Sequence, residues 1–302
     1  MAEATADGGA DGAALEVQSS DESSSSSLGG SAADESAEPS GAATPPPVAA
    51  ERLVQLAQLL LLSDGLELMR DEGEDYGAAL AEQMFPGRDG PSWQAQVRAI
   101  YDPVANMAIF QAAFAAALAE DPATVAAAEA FFDTARGQEI LRLELEARRA
   151  LMDVAVEEAA QVEAERMKTD RDPKLRLLRD LIEAGDLIEA NVAAALSSNL
   201  AFYQGMAEGS GSSGADAERM LAEVWAQEGS IRAETAGWLV PYLALAYQPL
   251  SDEDLKSYIA FSRSDAGQRL NAALFAGYDA VARHVAFAMG RAAAEVLAGS
   301  DI

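Results

Sequence analysis

A tetrad of residues, Phe131-x-x-Thr134-x-x-Gly137-Gln138, returns as Phe261-x-x-Ser264-x-x-Gly267-Gln268. All four pairs are separated by the same interval of 130 residues. Repetition at a fixed period is the mark of a duplicated structural unit, because two copies of one unit need the same packing contacts at the same places. In each copy an aromatic residue comes three positions before a hydroxyl. That spacing puts the ring at the end of one helix and the hydroxyl where it caps the next. Glycine then falls in the first helical turn, where the lack of a side chain lets a second helix approach closely. The chain is therefore expected to fold as two tandem, homologous multi-helix units packed together, spanning 49–172 and 173–302. The tetrad is expected to be a helix–helix corner. Its functional alternative is a small anion or peptide-terminus site made of hydroxyl, amide and helix-start N–H groups.

The periodicity between and around the two copies is helical. Leu53, Leu56, Leu59, Leu60 and Leu66 open an amphipathic stretch, and Leu270, Leu274, Tyr278, Val281 and Val285 step by three and four residues as one helix face does. No run alternates apolar and polar residues as a half-buried strand does. Alanine, the strongest helix former, is frequent throughout, as in Ala115–Ala117 and Ala193–Ala195. Asp121-Pro122 and Asp172-Pro173 put proline where a first helical turn tolerates it, and Ser251 precedes three acids near a positive helix start. Pro103 and Pro241 lie in apolar segments and are expected to break or kink their helices. The expectation is an all-α fold with helices near 49–71, 75–85, 91–119, 122–132 and 135–168, then 174–207, 215–227, 229–248, 252–262 and 265–297.

Residues 1–48 differ in kind from the rest. They hold Ser23–Ser27 and Pro45–Pro47, nine acids, and no Lys, Arg or aromatic residue. With almost no apolar surface to bury, nothing offsets a backbone ordering cost of about 1–2 kcal/mol per residue, so this tail is expected to be disordered. It carries −9 of the −29 net charge, and the remaining −20 belongs to the body. So general an acidic excess disfavours nucleic acid and anionic membrane surfaces as partners. The most apolar runs, Leu56–Leu62, Val104–Ala119 and Trp238–Tyr247, fall short of the roughly 20 residues a transmembrane helix requires. The chain as given opens without a charged segment followed by an apolar one, the pattern of a secretory signal.

Chemistry is sparsely signalled. The absence of cysteine excludes disulfides, thiolate zinc sites and thiol nucleophiles. One histidine, His284, rules out paired-histidine metal motifs, and no metal or cofactor is expected. Arg263, Arg269, Arg283 and Arg291 give the C-terminal helices a local basic character, so Arg263, Arg269, Arg283 and His284 are the candidate residues for an anionic ligand. Pairing with the abundant carboxylates is the competing expectation. Asp71, Glu72, Glu74 and Asp75 read as a solvated acidic loop around Gly73, without the spacing of a calcium loop. Glu144, Glu146, Glu157, Glu158, Glu163 and Glu165 read as the wet face of a long helix.

The stretch Leu255–Gln268, ending in Phe261-x-x-Ser264-x-x-Gly267-Gln268, resembles the signature of the bacterial domain of unknown function numbered 2059. The similarity covers most of 174–297. It recurs in the first half, with Thr134 in place of the serine and Phe131-Phe132 in place of the usual aromatic pair. The resemblance implies an all-helical fold and export to the periplasm, with the signal peptide absent from this chain; a cytoplasmic location is the alternative. It implies no activity. Two functions follow as expectations. One is a non-enzymatic interaction or scaffold protein of the cell envelope, with a protein partner. The other is an enzyme or small-ligand binder whose site lies between the two helical halves.

Overall fold

Short acids and prolines set most of the helix starts. Asp102, Asp121 and Asp172 each cap a helix whose first residue is proline, accepting from the N–H of Ala105, Thr124 and Lys174 at 2.8–3.0 Å. Ser251 does the same for Asp254 at 3.1 Å. The computed structural model describes residues 46–211 and 217–299. The expected disorder of 1–48 falls almost wholly outside these residues.

Thirteen helices, and no strand, are present among the described residues. In the first half they are α1 (Ala50–Leu59), α2 (Leu62–Met84), α3 (Pro91–Ile100), α4 (Pro103–Leu118), α5 (Pro122–Phe132), α6 (Ala135–Ala150) and α7 (Val154–Asp170). They continue as α8 (Pro173–Ala184), α9 (Leu187–Gly209), α10 (Ala217–Trp225), α11 (Glu228–Ala246), α12 (Asp252–Arg263) and α13 (Asp265–Leu297). The all-α expectation holds, and no single helix among the described residues is long and apolar enough to cross a membrane.

Several boundaries differ from the sequence reading. The expected helix 49–71 divides at Leu61, whose φ of 55° is left-handed, and 174–207 divides at Asp186 with φ of 48°. Pro103 does break the expected helix 91–119, because Asp102 caps a new start. The long helix 135–168 divides at Asp153, which caps α7 by accepting from Ala155 at 2.9 Å. By contrast, α2 runs straight through Asp71–Asp75, so that acidic run is helical and not a loop. Pro241 likewise lies within an unbroken α11.

Two hydrophobic cores form. One joins α1–α5 to the length of α13, through Leu56, Leu66, Phe110, Phe114 and Val125 with Leu270, Val281 and Met289. The other joins α8, α11 and α12 to α6 and α7, through Leu178, Leu243, Tyr247 and Leu255 with Ile140, Leu143 and Met167. Each core therefore combines helices from both sides of residue 172. Among the described helices, α9 packs against α13 at backbone contact. A Cβ placed on Gly205 would lie 2.9 Å from the Arg291 nitrogen and in collision with the Phe287 carbonyl oxygen. One placed on Gly290 would lie 3.0 Å from the Phe202 carbonyl carbon. Backbone meets backbone there, and no side-chain movement makes room.

This crossing generates a paired prediction. Gly290→Ala should cost about 1–3 kcal/mol or more, because the added methyl overpacks a rigid contact. Gly237→Ala in α11, where nothing lies within 4 Å, should leave stability unchanged or raise it by up to about 1 kcal/mol through helix propensity. Urea unfolding of both variants checks this, and equal behaviour of the two would refute the close approach.

Candidate functional site

The repeated tetrad forms two corners, α5 to α6 and α12 to α13. Thr134 Oγ1 accepts from the Gly137 N–H at 3.0 Å and donates to the Phe131 carbonyl at 2.7 Å. Ser264 Oγ accepts from Gly267 at 3.0 Å and donates to Phe261 at 2.6 Å. Gln138 Nε2 donates to the carbonyls of Phe132 at 2.8 Å and Leu59 at 2.9 Å. Gln268 Nε2 repeats this with Ser262 at 2.8 Å and with Ala184, at the end of α8. The glycines make room not for a separate helix but for the end of the preceding one: a Cβ on Gly137 would lie 2.5 Å from the Phe131 carbonyl oxygen, and one on Gly267 would collide with that of Phe261. Hydroxyl, amide and capped N–H are engaged within the corner or with the end of a neighbouring helix, so the arrangement matches the helix–helix corner more closely than an anion cradle. The two aromatics meet instead. Phe131 stacks on Phe261 with ring centroids 4.4 Å apart and planes 16° from parallel.

The candidate anion-binding residues do not converge. Arg269 pairs with Asp121 at 3.1 Å, Arg283 with Asp279 at 3.0 Å, Arg263 with Asp180 at 3.7 Å and Arg291 with Glu295 at 3.7 Å. His284 is exposed on α13. Arg269 and Arg283 are separated by 14 residues of one helix, about 21 Å along its axis. Nearness in sequence is therefore no nearness in space.

The chemically distinctive cluster lies elsewhere, along the inward face of α6. Ile140, Glu144 and Arg148 step by four, and Leu143 and Ala147 on the same face are buried. Glu144 accepts from the Tyr247 hydroxyl, and from the Tyr258 hydroxyl at 3.2 Å. Tyr242 donates to the Glu144 carbonyl at 3.3 Å. One turn on, Arg148 grips Glu72 of α2 through two bonds of 2.7 and 2.6 Å, a bidentate charge-assisted pair. Tyr278 lies close enough for the Arg148 charge to favour its ionised form, and Tyr101 feels the charge of Glu72. The cluster thus draws on α2, α3, α6, α11, α12 and α13.

Its electrostatics follow from burial. Glu144 retains slight solvent contact, but the surrounding side chains push its carboxyl above the usual value of 4.5, while the two tyrosine hydroxyls pull it back. Burial raises Tyr247 and Tyr258 well above 10.0, and the neighbouring Glu144 charge adds to this. Burial opposes the Arg148 charge as well, and the Glu72 pair more than offsets it. Carboxyl and phenols together can share and hold a proton, and neither of two surface grooves is lined by them. The two grooves that stand out on the surface are both shallow. One, of about 400 Å³, runs along α1 beside Val54 and Gln58. The other, of about 530 Å³, lies between Arg70, Glu74, Arg98 and Met152.

Glu144 and Glu146, expected on one wet face, face different ways. Glu146 does point outward, to Arg142 at 2.5 Å. The available signal for Glu144 was its register: it falls four residues after Ile140 and three before Ala147, on the apolar stripe. The acids of α2 divide in the same way, Asp71 pairing with its neighbour Arg70 at 2.8 Å while Glu72 reaches Arg148.

Glu144 makes a pH prediction. Its folded pKa is raised, so its contribution to stability is fully present below the ordinary value of 4.5 and is lost as pH rises through the folded pKa. Glu144→Gln keeps an acceptor for both tyrosines and removes the titration. Thermal melts should show the variant gaining on the parent chain as pH climbs from 4 to 8. A constant difference across that range would contradict the assignment. In the comparisons with known proteins, no family model, no curated protein and no solved structure matches the chain.

Proposed function

We propose that this chain is a non-enzymatic interaction or scaffold protein, built by tandem duplication of one helical unit. The observation that carries the reading is the filled junction between the halves. Where a ligand-binding protein made of two related units would open a cleft, Phe131 stacks on Phe261 and the Glu144–tyrosine cluster closes on itself. The duplication is supported by the two corners, whose capping and amide bonds correspond one for one. It is supported also by the left-handed residues Leu61 and Asp186, each two positions after the carbonyl that a repeated glutamine holds. Contact of a residue with its own counterpart, as Phe131 makes with Phe261, is what a pseudo-twofold axis between two copies requires.

What remains for a partner is surface. Large apolar side chains stand exposed at Leu221, Trp225 and Trp238, and tryptophan is enriched among residues that anchor protein interfaces. Placement in the cell envelope rests on the resemblance of Leu255–Gln268 to the domain of unknown function numbered 2059.

Native mass spectrometry of the full chain, purified gently from its own host, tests the reading. The expected result is a stoichiometric complex with another protein, dissociating to a chain of sequence mass. A small-molecule adduct carried by the isolated chain, lost on Glu144→Gln, would overturn it in favour of a ligand site at the junction.

A further inference from the structure

The nine residues of α10 place Met220, Leu221, Val224 and Trp225 along one helical face. α10 rests on α9, which covers part of that face: Val224 is buried and Met220 half-buried. Leu221 and Trp225, one turn apart, remain 45% and 60% exposed.

The first half shows how such a helix is finished. In the proposed duplication α3 holds the place of α10, since each follows a 23-residue helix and precedes α4 or α11. α3 packs on α2 and is also covered by α13. Its Trp93 is 2% exposed, with the indole N–H donating to the Gly77 carbonyl at 2.9 Å, and Val97 is equally buried. The helix that would cover α10 by the same arrangement is α7, and α7 packs against α11 instead. Among the described residues, the place that a helix fills over α3 is left open over α10.

We propose that the Leu221–Trp225 face of α10 is a docking site for a cationic amphipathic helix of a partner protein. This deepens the interaction reading and rests on it and on the duplication. The helical form follows from the template that α13 supplies over α3. The positive charge follows from the setting. Glu218 and Glu223 flank the apolar pair on α10 and Glu228 and Glu234 follow on α11; Arg219 pairs with Glu223 and Arg232 with Glu228, so four acids stand against two bases here, within a chain of net charge −29. That charge repels a second copy and an anionic bilayer alike, and attracts lysine and arginine rimming an apolar stripe.

The probe is a fluorescently labelled helical peptide of about 18 residues, long enough for appreciable helicity, with leucines on one face and lysines on the other. Controls are a scrambled peptide of the same composition and a version with glutamate in place of lysine. Titrated at physiological salt against the full chain, the leucine–lysine helix should bind saturably with one site, and neither control should. Trp225→Ala combined with Leu221→Ala should weaken it by about tenfold or more, the loss expected of interface anchors. Glu218→Lys with Glu223→Lys should weaken it too, and both variants should keep a cooperative melt, since the buried Val224 still holds α10 on α9. Undiminished binding to the Trp225→Ala, Leu221→Ala variant would overturn the proposal, as would equal binding of the scrambled peptide. Self-association or binding to anionic vesicles that depends on Trp225 would overturn it as well, by giving the face another occupant. Host capture separates the two readings: a protein partner still recovered by the Trp225→Ala, Leu221→Ala variant overturns the α10 site while the interaction reading stands.

Discussion

The structure depends on cover for α13. A helix of 33 residues is about 50 Å long, and its buried positions run from Gly267 and Leu270 through Val281 and Met289 to Val296. No single neighbour is long enough to protect that whole stripe. α9 takes the distal part at backbone contact through Gly205 and Gly290, while α4 and α5 take the proximal part. Because α4 and α5 belong to the first half of the chain, the last helix of the second half completes the first core. The converse holds for α6 and α7, which complete the core of α8, α11 and α12. Neither half contains a closed core of its own.

Between the two cores runs the polar and aromatic belt on α6. Polar groups held partly out of water, as Arg148 and Glu72 are with side chains 40% and 32% exposed, must be well paired there. The bidentate geometry of Arg148 with Glu72 and the two hydroxyls on Glu144 meet that condition. They also discriminate. A one-residue slip of α6 would turn both side chains about 100° away from these partners, so the belt fixes how α6 sits against α2 on one side and α11 and α12 on the other. Burial suppresses phenol ionisation at Tyr76, Tyr101, Tyr242, Tyr247, Tyr258 and Tyr278, and all of these but Tyr76 also feel charges of this belt. The repeated phenylalanines seal its end by stacking.

The parts of this fold legible in the sequence are those governed by local chemistry. Asp-Pro and Ser caps, alanine-rich periodicity and the Phe–Thr/Ser–Gly–Gln corner each act over a few residues, and each appears where it was read. The misread parts are governed by tertiary contact. The break at Leu61 has no glycine or proline to announce it, and a leucine adopts left-handed backbone only where surrounding packing compels it. The run Asp71–Asp75 looks like a loop because glycine punctuates it, yet the helix continues, with Gly73 set beneath the Tyr101 ring. Glu144 was lost because an acid on an acidic helix reads as solvated, although its register said otherwise. The arginines stay apart for the opposite reason: each has a carboxylate of its own close by, in a chain with 50 acids to 21 bases.

The exchange of helices between cores is the central claim, and cutting the chain tests it most directly. Fragments 46–172 and 173–302 can be produced separately and followed by circular dichroism on heating. The account predicts that each alone shows no cooperative melt, because its core lacks the helix supplied by the other, and that mixing restores a one-to-one complex with the helix content and melting behaviour of the intact chain. A cooperative transition in either fragment by itself would contradict it, since a half that folds alone owns a complete core.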